Sequence, residues 1–261
     1  MLIVERQQRI LDTLRSQKTA QLDELARRLD VSTSTVRRDL EQLEARGLAK
    51  RTHGGAVLQD EPPIDPSQSN VALAARMNEH VQQKQRIGSV AAAMVQPQMT
   101  VLLDGGSTVV YTAQKIVARP IQVVTNSLAV AGIFADDDQV ELLVIGGNLY
   151  PRTGVLVGSI ATGCLADLHA EVLLFSLAGI FGNEAFNQNL MMAQVEQAML
   201  RQAVVSMMLM DSSKFGRKSL ARVCGLEEVD HIITDAGVDQ TWRDQLGHQL
   251  VAVPDASDGG T

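Results

Sequence analysis

From Thr100 onward the sequence repeats one unit: an aliphatic run, a turn of small or hydroxylated residues, then a helical stretch. Residues 100–104 (TVLLD) lead into Gly105-Gly106-Ser107-Thr108 and a helical stretch to about Ala118. Residues 121–125 (IQVVT) lead into Asn126-Ser127 and a helix over 128–134, and residues 141–145 (ELLVI) end in Gly146-Gly147. Further strands are predicted at 172–176, 204–210, 231–234 and 249–253. Unbroken aliphatic strands need cover on both faces, and alternation with helices supplies it. The pattern therefore predicts an α/β domain with a mostly parallel sheet. Met207, Met208 and Met210 are expected to fill the core of the fifth strand.

Open sheets of this kind bind ligands outside the carboxyl ends of their strands. Three consecutive ends carry Asp104, Gly105, Gly106, Ser107 and Thr108, then Thr125, Asn126 and Ser127, then Gly146 and Gly147. Glycines let backbone N–H groups approach an anion, hydroxyls donate, and helix N-termini add a favourable field. The later block Asp211-Ser212-Ser213-Lys214-Phe215-Gly216 adds a cation in Lys214. Together these residues predict a polyol or phosphate pocket. The competing reading is a set of tight turns and helix caps.

The first 58 residues have a different pattern. Residues 3–16 place Ile3, Ile10, Leu11 and Leu14 on one helical face, and residues 22–29 give a short second helix. Ser32 is a good N-cap for a third helix whose inner stripe is Val36, Leu40 and Leu43. Its outer tip carries Thr33, Ser34, Thr35, Arg37 and Arg38. Hydroxyls and guanidinium groups at an exposed helix N-terminus suit phosphate and the base edges of a DNA major groove. The third helix is expected to end near Arg46-Gly47. Two short strands around His53-Gly54-Gly55 then form a hairpin bearing Lys50, Arg51 and His53, a wing beside the recognition helix.

Composition narrows the alternatives. The net charge of −7 is uneven: residues 1–57 carry 11 lysines and arginines against 8 acids, the remainder 12 against 22. A locally basic end on an acidic body fits a nucleic-acid module. No apolar run reaches the ~18 residues of a membrane span, so no membrane partner is expected. Cys164 and Cys224 have no metal-ligand spacing and fit reduced thiols in a cytoplasmic protein. The five histidines form no cluster, so neither a metal nor a cofactor is expected.

The N-terminal blocks Arg6-Gln7-Gln8-Arg9-Ile10-Leu11, Leu25-Ala26, Val31-Ser32, Thr35-Val36-Arg37-Arg38-Asp39-Leu40, Leu43, Gly47 and His53-Gly54-Gly55-Ala56 resemble the winged helix-turn-helix of the DeoR family of bacterial transcriptional regulators. The C-terminal blocks at 104–108, 125–127, 146–147, Gly158, 211–215 and 233–235 resemble that family's sensor domain, itself similar to ribose-5-phosphate-isomerase-like folds. The resemblance implies a repressor that binds a double-stranded DNA operator and is relieved by a phosphorylated sugar or related metabolite. Residues 176–197 depart from the family: Ser176 stands where glycine is usual, and Met192 and Glu196 stand at the usual Glu and Lys places. A carboxylate in place of a cation weakens anion binding if it faces the pocket. The alternatives are therefore a regulator with a lost or altered effector site, or an isomerase-like enzyme on the same fold.

The expected organisation is a DNA-binding domain over 1–58, a proline-containing linker over 59–70, an effector-sensing domain over 71–255 opening with a helix over 71–95, and a tail over 256–261. One winged helix reads too little DNA for high specificity, so a homodimer or homotetramer is expected.

Overall fold

A computed structural model describes residues 3–45, 48–58 and 72–255. The expected cap at Gly47, the linker over 59–70 and the tail over 256–261 lie outside these. The chain divides into two compact units, Met1–Pro63 with Gln240–Gln245, and Ile64–Asp239 with Leu246–Thr261.

The first unit contains α1 (Ile3–Gln17), β1 (Thr19–Gln21), α2 (Leu22–Leu29), α3 (Thr33–Ala45), β2 (Ala49–Thr52) and β3 (Gly55–Leu58). Ile10, Leu11, Leu14, Leu25, Leu29, Val36, Leu40 and Leu43 form its core, as their helical spacing predicts. Ile3 departs from the expected stripe and is exposed, lying at the frayed first turn. Strand β1, which the sequence shows only as a break between helices, pairs with β3 and makes the wing three-stranded, in the order β1-β3-β2. Asp30 takes a left-handed conformation and ends α2, and Ser32 opens α3 two residues later. A buried ion pair fixes the roll of α3: Arg6 donates from Nε (2.5 Å) and Nη2 (3.0 Å) to Asp39, whose side chain would otherwise be an unpaired charge in the core.

The second unit opens with α4 (Leu73–Met77) and α5 (Val81–Ala93), not with one continuous helix. The break falls at Asn78–His80, where His80 has φ 50°. There follow β4 (Thr100–Leu103), α6 (Ser107–Ala113), β5 (Ile121–Thr125), α7 (Leu128–Phe134), β6 (Val140–Val144), β7 (Asn148–Tyr150), β8 (Val155–Val157) and α8 (Ser159–Leu165). Next come β9 (Ala170–Phe175), β10 (Gly179–Phe181), β11 (Glu184–Asn187), α9 (Leu190–Gln202), β12 (Ala203–Leu209), β13 (Ala221–Gly225), β14 (His231–Asp235) and β15 (Leu250–Val253); α10 (Gln240–Leu246), between β14 and β15 in the chain, is grouped with the first unit over all but its last residue. Seven parallel strands form the sheet β15-β14-β12-β9-β4-β5-β6.

Alternation along the strands sorts the two cores. Val101, Leu103, Val123, Val172, Leu174, Met207 and Leu209 pack with α5, α6 and α7. Leu102, Leu173, Phe175 and Met208 point to the other face, where α9 packs on β9 and β12, and all four are fully buried. On α5 and just beyond it, Ile87 and Ala91 are buried, while Val90 and Met94 are partly buried against the same cluster. Two hairpins, β7–β8 and β10–β11, were not predicted, and β11 also pairs with β13. Among the described residues no helix is long and apolar enough to cross a membrane.

Leu40→Ala should destabilise the first unit by about 2–5 kcal/mol, because it removes a buried leucine from a small core. The check is amide exchange, which should accelerate over residues 3–58 and stay unchanged over the seven-stranded sheet.

Candidate functional site

The tip of α3 is built by its cap. The Ser32 hydroxyl accepts from the Thr35 N–H at 3.2 Å and lies 2.8 Å from both the Ser34 and Thr35 hydroxyls. Thr33, Ser34, Arg37 and Arg38 are exposed and Thr35 is half-buried. Lys50 and His53 are exposed on the wing. Arg51 is also exposed, but its guanidinium is engaged: Nε donates to Glu44 at 2.5 Å and Nη1 to Glu41 at 2.7 Å. Its backbone N–H donates to Glu44 at 2.9 Å, and this bond and the side-chain bond hold the Glu44 carboxyl below its ordinary range. The structure therefore places Arg51 as a strut between wing and helix. Arg37, Glu44, Arg51 and His53 line the cleft between these two elements. Neither Glu41 nor Glu44 was legible as a partner, since nothing in the sequence sets the distance between α3 and the wing.

In the second unit a cavity of about 320 Å³ opens at the carboxyl ends of β4, β9 and β12. Here the strand order changes direction: the chain runs from β4 outward through β5 and β6, then crosses to β9 on the other side of β4. Such a switch point separates the loops and leaves a crevice. Ser107 and Thr108 reach the cavity from the start of α6, and Ser176 from the end of β9. Met210, Asp211, Ser213 and Lys214 reach it from the end of β12, so Met210 is a wall residue as well as core. The 211–214 turn is fixed from two sides. The Asp211 carboxylate accepts from the Ser213 N–H and hydroxyl, and Asp235 accepts from the Ser212 N–H (2.7 Å) and hydroxyl (2.8 Å).

Four cations line this cavity: Arg76 on α4, Lys84 on α5, Lys214 and Arg217, with His80 and Glu79 at the joint between α4 and α5. Burial pushes the Lys84 and Lys214 ammonium groups below their ordinary range. The Asp211 and Glu79 carboxylates oppose this for both lysines, while for Lys84 the positive charges of Lys214 and Arg76 push the same way as burial, and for Lys214 those of Arg217 and Arg76. An anion among them would relieve both the desolvation and the mutual repulsion. Lys84 is buried and donates from Nζ to the Arg76 carbonyl at 2.5 Å. Its register was a readable signal, because it shares the inner face of α5 with Ile87, Gly88 and Ala91, where a charge needs a reason. Arg76 gave no such signal.

Several expected pocket residues lie elsewhere. Thr125, Asn126 and Ser127 are buried at the end of β5 under the β7–β8 hairpin. The Thr125 hydroxyl donates to the Leu103 carbonyl at 2.6 Å, and the Ser127 hydroxyl caps α7 by accepting from Val130. Asn126 donates to the Leu156 carbonyl of β8, and the Leu156 N–H donates back to the Asn126 carbonyl. Gly147 (φ 148°) lies against the β8 backbone, where a Cβ would meet the Val157 carbonyl at 2.8 Å, and Gly146 faces Ile160 of α8. Gly105 and Gly106 are close-approach positions: a Cβ on Gly106 would lie 2.6 Å from the Ser176 Cβ, and one on Gly105 would strike Val155. These residues shape the rim without lining the cavity. The hairpin that covers them had no signature in the sequence.

Asp104 and Glu196 are almost completely buried and are not among the residues lining the cavity. Glu196 Oε1 accepts from the Asn187 side-chain amide, and its Oε2 has no partner. Desolvation pushes both carboxyls up, and the Asp104 charge raises Glu196 further. The substituted residue therefore does not place its charge in the cavity. Among the described residues no group of three or more histidine, cysteine or acidic side chains is arranged to hold a metal ion.

A carboxyl whose folded pKa exceeds its unfolded value favours the folded state at low pH and loses that advantage as pH rises from the ordinary carboxylate range. Wild-type stability should thus decline from about pH 4.5 toward neutrality through Glu196. Glu196→Gln should flatten the decline and raise the neutral-pH urea midpoint, as parallel urea titrations at pH 4.5 and 7.5 would show.

Comparison with known proteins agrees with both halves of this geometry. Residues 6–61 match the model of the DeoR-like helix-turn-helix domain, and residues 79–236 match that of the DeoR C-terminal sensor domain. The L-fucose operon activator of Escherichia coli K12 is 32% identical over 234 residues, covering 88% of this chain and 94% of its own. The lactose phosphotransferase system repressor of Lactococcus lactis is also 32% identical over 234 residues, covering 88% and 90%. Among solved structures, ribose 5-phosphate isomerase A of Methanocaldococcus jannaschii aligns at 13% identity and a TM-score of 0.38, over 52% of this chain and 55% of its own. That score is too low to transfer chemistry. The sensor-domain match spans most of the chain and both relatives extend over nearly all of it, so the protein belongs to the DeoR family of DNA-binding transcriptional regulators.

Proposed function

We infer that this regulator is a repressor whose operator binding is relieved by a phosphorylated sugar held in the cavity at the β4–β9 switch point. The observation that supports this most directly is the convergence of Arg76, Lys84, Lys214 and Arg217 with the Ser107, Thr108 and Ser213 hydroxyls on one crevice. Cations suit a phosphoryl group and hydroxyls suit a polyol. Both relatives are named for sugar systems, one as an activator and one as a repressor. The effector must bind the DNA-incompetent arrangement more tightly than the competent one, or occupancy cannot change.

On the DNA side, Ser32, Thr33, Ser34, Arg37 and Arg38 read the major groove, and Lys50 and His53 contact phosphate from the wing. A homodimer on two half-sites supplies the specificity that one winged helix lacks. No turnover is expected, since both relatives are named as regulators of transcription.

Thermal-shift measurements should show stabilisation by a subset of sugar phosphates and none by the free sugars. Lys214→Ala should weaken that ligand about tenfold or more. Stabilisation by unphosphorylated sugars alone would contradict the assignment. Arg37→Ala should weaken operator binding by ~1–3 kcal/mol at fixed salt if it reads a base, and lower the salt slope by about one if it meets phosphate.

A further inference from the structure

We propose that Arg76 is the residue through which the cavity reports its occupancy: a bound phosphate accepts from the Arg76 Nε and Nη2 groups and thereby clamps helix α4 to the sheet rim. The proposal rests on the phosphate reading above and assigns it a moving part.

Two N–H-bearing atoms of Arg76, Nε and Nη2, are buried without an acceptor, while the side chain lines the cavity. Burial pushes this guanidinium below its ordinary range. The Asp104, Glu79 and Glu196 carboxyls oppose that effect by their charge. A desolvated guanidinium lacking acceptors is expensive, and the paired N–H groups match a phosphoryl group. The helix that carries it is short. It has five residues and none is fully buried, Met77 alone of them packing against the core, half-buried. Its ties to the rest of the unit include the Leu73 N–H to the Arg152 carbonyl (2.9 Å), the Tyr111 hydroxyl to the Met77 carbonyl (2.8 Å), and Lys84 Nζ to the Arg76 carbonyl (2.5 Å).

The last of these ties joins α4 to a second cation of the same cavity. A ligand that engages Lys84 therefore also acts on the Arg76 backbone. Just beyond α4 the chain turns at His80, a non-glycine residue at φ 50°, a conformation that side chains disfavour and that suits a joint. Few buried contacts, a strained joint and an unsatisfied cation mark a low-stability element whose ordering a ligand can control.

The test is hydrogen exchange by mass spectrometry on the full chain, with inorganic phosphate as the probe and sodium chloride of equal ionic strength as the control. Saturating phosphate should slow the amides of residues 75–79 roughly tenfold, with little change in β4, β9 and β12. Arg76→Ala should keep a phosphate-dependent rise in Tm through Lys214 and Arg217, with affinity lowered about tenfold, and should lose the slowing. Arg76→Lys, which restores charge without the paired donors, should not bring it back. A rise in Tm without slowing in the wild type, or slowing that survives in Arg76→Ala, overturns the clamp and leaves the anion site standing. No phosphate-dependent rise in Tm in the wild type overturns both.

Discussion

The reversal of strand order between β4 and β9 is the constraint on which the sensor unit depends. Neighbouring strands whose connections leave in opposite directions cannot have their loops packed over each other, so a crevice forms at their carboxyl ends. Polar loop residues from β4, β9 and β12 line it because those strands flank the reversal. Strands β5 and β6 lie beyond β4 on the side away from the crevice. The polar end of β5 is buried beside the β7–β8 hairpin, where the Thr125 and Ser127 hydroxyls serve the backbone instead of a ligand.

That distinction explains what the amino acids disclosed. Apolar runs read at 100–104, 121–125 and 204–210 declared the sheet because apolar strands have no other home. Ser32, Val36, Leu40 and Leu43 declared the recognition helix for the same kind of reason. Spatial strand order is not written in any local run, however, so three consecutive strand ends were read as one pocket when only the first of them contributes to it. The short strands β7, β8, β10 and β11 were invisible because three or four residues carry too little alternation to distinguish a hairpin from a loop. Arg76 was hidden by the joint at His80, since a continuous helix over 71–95 would have carried it along a different path. Lys214 was the one cavity cation read from the sequence; Lys84 carried a readable signal that was missed, a charge in register with Ile87 and Ala91.

The site is layered by charge. Four cations share the cavity wall with Glu79 and Asp211, and two buried carboxyls behind it, Asp104 and Glu196, lie close enough to Arg76 to offset part of its burial. The Asp104 carboxylate is itself held by backbone N–H groups of Gly105, Ser176 and Gly106, which ties the acid to the loops around the wall. Glu196 is held by Asn187 and by burial, and the positive charge of the cavity comes from α4, α5 and the 211–217 segment.

In the DNA-binding unit, Arg51 ties the wing to the recognition helix through Glu41 and Glu44, while Arg6 secures that helix to α1 through Asp39. The side chains at 33, 34, 37 and 38 take no part in either brace and none of them is buried. Substitutions at Thr33, Arg37 and Arg38 therefore leave both braces and the core of the unit intact, so the surface chemistry of the helix tip can change while its scaffold stays fixed.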